Sequence, residues 1–348
     1  MYFTVSTIKD SLENVRFFVD ANLGSGVDHM FVFLDAPKDD GQLEVAAALH
    51  EHPQVTCIPT TRRDWWAGDR PASLNVRQRT NANWVRSVLA PFAWAEWLFH
   101  VDGDEVAALD REALAAVPAE VDAVWLPPWE AVSEWDPVGR PTRFKRLLDD
   151  AELNLLLVLG VLPEATNQAY FHGHVLGKSG VRPGSGLGLT LHEGVSADGE
   201  RQPRHEDPRL RVLHYDAPSG QEFVRKWTAL ASAGPARYRP SRAPSARALR
   251  TLLSGDLAPE TREKYLRRIY ELTTRDDVEV LDDLRLLVAT DPERAGSQPR
   301  PFPDGAAAAL AQRVAELAEG PKSGYYVGDA APAQAGRNER LKRLVRRP

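Results

Sequence analysis

Two aspartates separated by one glycine, Asp102 and Asp104, are followed directly by Glu105 and close the apolar run Trp97-Leu-Phe-His-Val101. Carboxylates this close repel one another, and a divalent cation removes that cost. Mg2+ and Mn2+ favour oxygen ligands and bridge carboxylates to diphosphate oxygens. An ion held there acts as a Lewis acid on a leaving group. The competing use of an acidic turn is to cap the next helix, and Asp110 fills that position better. His172-Gly-His174 also offers ligand atoms, but no third ligand stands near it in sequence, and it reads as a loop or turn. Cys57 is the single cysteine, which excludes an internal disulfide and argues against a cysteine-based zinc site.

The elements that must position the acidic turn follow from hydrophobic periodicity. Residues 2–8 are β-rich and predict a strand, and Asp10 or Ser11 caps a helix through Leu12, Val15, Phe18 and Val19. Gly24 and Gly26 end it. His29–Leu34 is a near-continuous apolar run, as expected for a strand buried on both faces of a parallel sheet. A helix over 42–51 and a strand over 55–58 complete the opening of a doubly wound α/β domain. Ligands of such sheets bind beyond the carboxyl ends of the strands, here Lys9, Asp35 and the segment after Ile58. Residues 60–72, with Trp65 and Trp66, read as a mobile loop. Residues 73–90 read as a helix, 97–101 and 123–126 as strands, and 111–117 as a short helix.

Beyond residue 127 the pattern loosens. Residues 173–188 carry six glycines and one proline and read as loop or hairpin. A strand is expected over 212–215, and helices over 221–232, 245–253, 259–272, 278–289 and 306–319. Residues 291–304 read as a linker and 320–336 as a flexible segment. The linear division is therefore 1–230 for the α/β domain, 231–320 for a helical C-terminal region and 321–348 for a flexible basic tail. From Arg337 onward that tail has six basic residues against one acidic, and peripheral contact with a membrane surface is one use of such a tail. The net charge of −6 over 348 residues disfavours a nucleic-acid partner. The longest apolar run, Leu153–Leu162, is too short to span a bilayer and is interrupted by Asn154 and Gly160. With no basic leader at the start, a cytoplasmic location is expected. Abundant Ala, Arg and Pro point to a GC-rich, bacterial coding genome.

Thr4-Val-Ser-Thr-Ile-Lys-Asp10, Phe31-Val-Phe-Leu-Asp35, Gln78-Arg-Thr-Asn-Ala-Asn83 and Trp97-Leu-Phe-His-Val-Asp-Gly-Asp-Glu105 occur in this order. Gly177-Lys-Ser179 leading to Leu191-His192, and Leu213-His-Tyr215 ahead of Phe223 and Lys226, follow them. The set resembles the family 2-type glycosyltransferases, in the branch with an Asp-x-Asp-Glu motif, over residues 2–230. The resemblance implies a GT-A fold, Rossmann-like with a mixed central sheet flanked by helices. It implies transfer of a sugar, with inversion, from a nucleotide-diphosphate donor to a hydroxyl of a carbohydrate or glycoconjugate acceptor. In the family pattern Asp35 contacts the nucleoside, Thr7 and Lys9 line its pocket, and Asp102, Gly103 and Asp104 address ribose and Mn2+ or Mg2+. The segment Asp35-Ala-Pro-Lys-Asp-Asp40 departs from that pattern and leaves the base preference open. A late histidine, His214 or His192, supplies a third metal ligand in such chains. Inversion needs a carboxylate base: Glu193 is the first candidate, with Glu164 and Asp216 as rivals. Arg77 and Arg79 are candidates to steady the diphosphate. Trp65 and Trp66, with His192, are candidates for the acceptor side, and the tryptophan loop for a lid. The alternatives are a nucleotidyltransferase on a similar fold, against which the lack of glycine in Ser6-Thr-Ile-Lys-Asp10 counts, and a non-catalytic glycan-binding protein.

Overall fold

The computed structural model describes residues 1–232 and 243–328. The opening follows the expected alternation: β1 (Tyr2–Ile8), α1 (Leu12–Gly24), β2 (His29–Leu34), α2 (Gln42–Glu51), β3 (Val55–Pro59), α3 (Leu74–Leu89) and β4 (Trp97–His100). Ser11 caps α1 through its side chain, which accepts the Asn14 amide at 3.3 Å. β1 pairs in parallel with β2 and β4, and β2 with β3. The sheet therefore runs β3-β2-β1-β4 and continues through the strands Lys178–Val181, Ala123–Leu126 and His205–Glu206. Lys178–Val181 lies antiparallel to both its neighbours, which makes the sheet mixed. The result is a Rossmann-like mixed α/β architecture.

Side-chain alternation explains the layers. Phe3, Val5, Phe31, Phe33 and Leu98 pack with Trp84, Val85 and Val88 of α3 on one face. Met30, Val32, Leu34, Trp97 and Phe99 pack with Val15, Phe18 and Val19 of α1 and Val45 and Leu49 of α2 on the other. Strands that are apolar on both sides belong between two helical layers.

Two compact units form, and they do not follow the linear division. The first comprises 1–126, 177–212 and the chain from 292, and the second 127–176 and 213–291. The helix Ala306–Ala318, expected in a C-terminal region, packs on the first unit: Leu310 joins the α3 core, and the Trp84 indole donates to the Leu317 carbonyl at 2.8 Å. The expected linker is also anchored there. Arg300 and Arg111 both pair with the buried Asp28, at 2.8 Å each.

In the second unit Arg143–Lys145 pairs antiparallel with Leu287–Ala289 on one side and with Pro128–Ala131 on the other. The unit's helices Gly220–Ser232, Ala243–Ser254 and Pro259–Thr273 enclose Phe223, Leu249, Leu266 and Tyr270. The helix expected over 278–289 ends at Asp283. Arg285 turns into the left-handed region at φ 57°, and Leu287–Ala289 leaves as a strand that pairs with Arg143–Lys145. Of the expected basic tail, residues 329–348 lie outside the described residues. Among the described residues no helix is long and apolar enough to cross a membrane.

Candidate active site

The acidic turn sits where β4 leaves the sheet. The Glu105 amide donates to the Asp102 carbonyl at 3.0 Å, closing a reverse turn. The Glu105 carboxylate turns back and accepts the Asp102 amide at 2.7 Å. Gly103 lies over Ile8, where a Cβ would come to 3.0 Å from the Ile8 methyl. The outgoing strand Glu105–Ala108 is held by Asn22 of α1, whose side chain donates to the Glu105 carbonyl at 3.1 Å and accepts the Ala107 amide at 2.9 Å.

Lys178 is the residue that sequence reasoning left without a role. Its ammonium is fully buried and lies 2.6 Å from Asp102 Oδ2 and 3.0 Å from Glu105 Oε2. Burial pushes the Lys178 pKa down, but the two carboxylates outweigh it and hold the pKa above the usual lysine range. Gln78 of α3 donates to the other Asp102 oxygen at 2.6 Å. Repulsion within the turn is thus partly relieved by the protein itself. The carboxylate oxygens of the half-buried Asp102 and Asp104 fit a hard divalent cation. The signal for Lys178 was the Gly177-Lys-Ser179 motif, but a Lys-Ser-Gly-Val segment does not read as a central strand.

The adjoining strand ends carry further polar groups. Thr7 is buried at the end of β1 and accepts from Asn81 Nδ2 at 2.9 Å, while Asn81 Oδ1 accepts the Trp65 indole N–H at 3.0 Å. His100, at the end of β4, is buried; burial and then the Lys178 charge push its pKa down to about 4, so it stays neutral.

Several expectations change. Arg77 is buried and grips both Asp35 oxygens at 2.6 Å, while its Nη1 donates to the carbonyls of Pro71 and Ala72 at 2.8 and 2.9 Å. Arg70 adds a contact of 3.0 Å to Asp35. These contacts occupy most of the Arg77 N–H groups, so it serves as a clamp between β2 and the start of α3 rather than as a phosphate ligand. Arg79 is buried on the same helix. Trp65 and Trp66 are only 5% and 3% exposed, and the Trp65 ring packs against Phe33 and Trp84 with centroids 5.2 and 4.9 Å away. Rings so enclosed present no face to a sugar, and the lid reading of this pair is withdrawn. Lys9 is exposed and paired with Asp39.

His192 and Glu193 lie at the tip of a hairpin between Gly188–Leu189 and Gly194–Val195. Thr190 closes the tip by accepting the Glu193 amide at 2.9 Å. His192 Nδ1 meets the Gly177 carbonyl at 2.9 Å, and Glu193 pairs with Arg201 at 2.8 Å. His214, Glu164 and Asp216 belong to the second unit. There His214 stacks on His174 at 5.1 Å, Asp216 pairs with Lys226 at 2.7 Å, and Glu164 is exposed.

No known family's sequence profile matches the chain, and no curated protein matches it. Among solved structures, HddC from Yersinia pseudotuberculosis is 10% identical and aligns over 53% of this chain and 77% of its own, with a TM-score of 0.27. The inositol-1-phosphate CTP transferase from T. maritima is 12% identical over 43% of this chain and 61% of its own, with a TM-score of 0.21. HddC complexed with GMP-PN is 10% identical over 41% of this chain and 68% of its own, with a TM-score of 0.23. None of the three is described as a glycosyltransferase. At these TM-scores the likenesses carry no argument about this chain's chemistry.

Proposed function

We propose that the chain is a metal-assisted glycosyltransferase whose first unit holds the diphosphate of a nucleotide-sugar donor. The observation that carries this reading is the acidic turn Asp102–Glu105, fastened at the carboxyl end of the parallel strands. Asp102 and Asp104 are the proposed ligands, and a bound Mn2+ or Mg2+ would neutralise charge on the departing diphosphate. Gln78 and Lys178 keep the Asp102 carboxylate oriented by binding one oxygen each. Thr7 and Asn81 form a polar edge beside it, on the donor side. In the transfer the acceptor oxygen bonds to the anomeric carbon, the bond from that carbon to the diphosphate breaks, and the acceptor proton passes to a carboxylate. Glu193 on the hairpin is the base of this proposal, and Arg201 must release it first.

Nucleotidyl transfer on the same kind of sheet is the second reading. It enters because Lys178 gives the acidic turn a permanent cation. Against it, β1 ends in Ile8-Lys-Asp-Ser11, which has no glycine to wrap a triphosphate.

The test is calorimetric titration of UDP, GDP, dTDP, CDP and ADP with Mn2+ and with EDTA, repeated on Asp104→Ala. The expected result is metal-dependent binding of one nucleotide, lost in the variant. No binding by folded protein with metal present would overturn the donor site. Pyrophosphate release from a nucleoside triphosphate and a sugar phosphate, without turnover of any nucleotide sugar, would select the second reading.

A further inference from the structure

The second unit holds a cavity of about 500 Å3, and every described residue that lines it belongs to that unit. This is the size of an ordinary small-molecule pocket. Its wall joins the half-buried Trp227 indole to two polar pairs. In one, His172 Nε2 lies 3.0 Å from Asp276 Oδ1; in the other, Lys226 donates to Asp216 at 2.7 Å.

The first pair is built, not incidental. Asp276 is only 8% exposed, and behind it Lys145, fully buried, bridges Asp276 Oδ1 at 2.9 Å and Glu130 Oε1 at 3.0 Å. The Ser133 amide binds the second Asp276 oxygen at 2.8 Å. Glu130 in turn accepts the backbone amides of His172 and Gly173 at 2.7 and 2.5 Å, fixing the loop that carries the imidazole. Buried ion networks carry a desolvation cost and are weak devices for stability. What this one accomplishes is orientation: it holds the His172 and Asp276 edges at the cavity wall.

We propose that this cavity binds a neutral polyhydroxylated ligand of small-saccharide size. Among the described lining side chains Lys226 and Arg275 stand with Asp216, Asp276 and Asp277, so the wall offers no surplus of positive charge to an anion. Carboxylates and ammonium groups bond several partners at once, and hydroxyls both donate and accept, so a polyol satisfies such a wall. The half-buried Trp227 indole suits the C–H face of a sugar ring. The proposal for this cavity does not rest on the donor-site reading above.

The experiment is calorimetric titration of the full chain with glucose, maltose and myo-inositol, and with glucose 6-phosphate and gluconate as charged comparisons. The variants are Trp227→Ala, Asp216→Asn and Ala169→Trp, the last filling the cavity from its wall, with folding checked by circular dichroism. The expected result is binding of a neutral member, weakened at least about tenfold in every folded variant, which corresponds to 1.4 kcal/mol or more. EDTA and Asp104→Ala leave it unchanged. Preference for a charged member, no binding of any neutral member, or wild-type affinity in the folded variants overturns the proposal. Loss of binding in Asp104→Ala would tie it to the other unit and overturn it as well.

Discussion

Lys178 decides how the acidic turn stands without a ligand. Its ammonium touches both Asp102 and Glu105. Because its folded pKa is raised, its contribution is fully present below the unfolded lysine value and is lost only as the pH rises past it. Removing one partner of a buried pair leaves an uncompensated charge and costs about 3–5 kcal/mol. Lys178→Met is therefore expected to lower the melting temperature, and Mn2+ is expected to raise it more in the variant than in the wild type. Equal shifts with Mn2+ in both proteins would separate the turn from metal binding.

At the scale of elements, the strand Lys178–Val181 shows how packing makes structure from an unpromising segment. Gly180 faces Phe99 of β4, and a Cβ there would fall 2.2 Å from the phenyl ring. Glycine is thus required by the close approach of a ring and not by backbone angle. Forcing a methyl into such a contact displaces side chains at about 1–3 kcal/mol. Gly180→Ala is expected to lose stability in that range in urea titration, with the slope of the transition unchanged. A variant as stable as wild type would mean that the strand does not sit against Phe99. Helix α3 makes a related point. Gln78, Thr80, Asn81 and Asn83 are polar yet buried, and Asn83 spends its side chain on the Leu189 backbone, at 2.8 Å in each direction. A helix whose inner face is polar is built to position other elements.

For the molecule as a whole, the buried titratable groups set the response to acid. Burial, then nearby His52, pushes His29 down to about 4; burial, then Lys178, does the same to His100. Both folded values lie below the unfolded value of 6.5. Stability is full above that value and falls as the pH drops toward 4, because the unfolded chain takes up the protons first. The slope is about 1.4 kcal/mol per pH unit for each histidine. Asp28 extends the loss to lower pH. Burial raises its pKa, but Arg111, Arg300 and two backbone amides hold it below the usual carboxylate range. Urea titrations at pH 7.5, 6.0 and 5.0 are expected to show a steady decline. Constant stability across that range would mean that the two histidines are not buried as neutral groups.

The sequence by itself determined the opening β1-α1-β2-α2-β3-α3-β4, a cap at Asp10 or Ser11 and the place of the acidic turn. These depend on periodicity and caps, which are local properties of a few neighbouring residues. It also held the motifs Gln78–Asn83 and Gly177–Ser179 in plain view, without their roles. The tertiary structure alone decided the rest, because the deciding contacts join residues far apart in the chain. Lys178 reads as loop until Asp102 and Glu105 stand beside it. Trp65 and Trp66 read as a lid until Phe33 and Trp84 enclose them. Arg77 reads as a phosphate ligand until Asp35 takes its guanidinium. The division into units follows the same logic: the chain from 292 returns to the first unit because Asp28 and Trp84 offer partners there, and no local pattern records that.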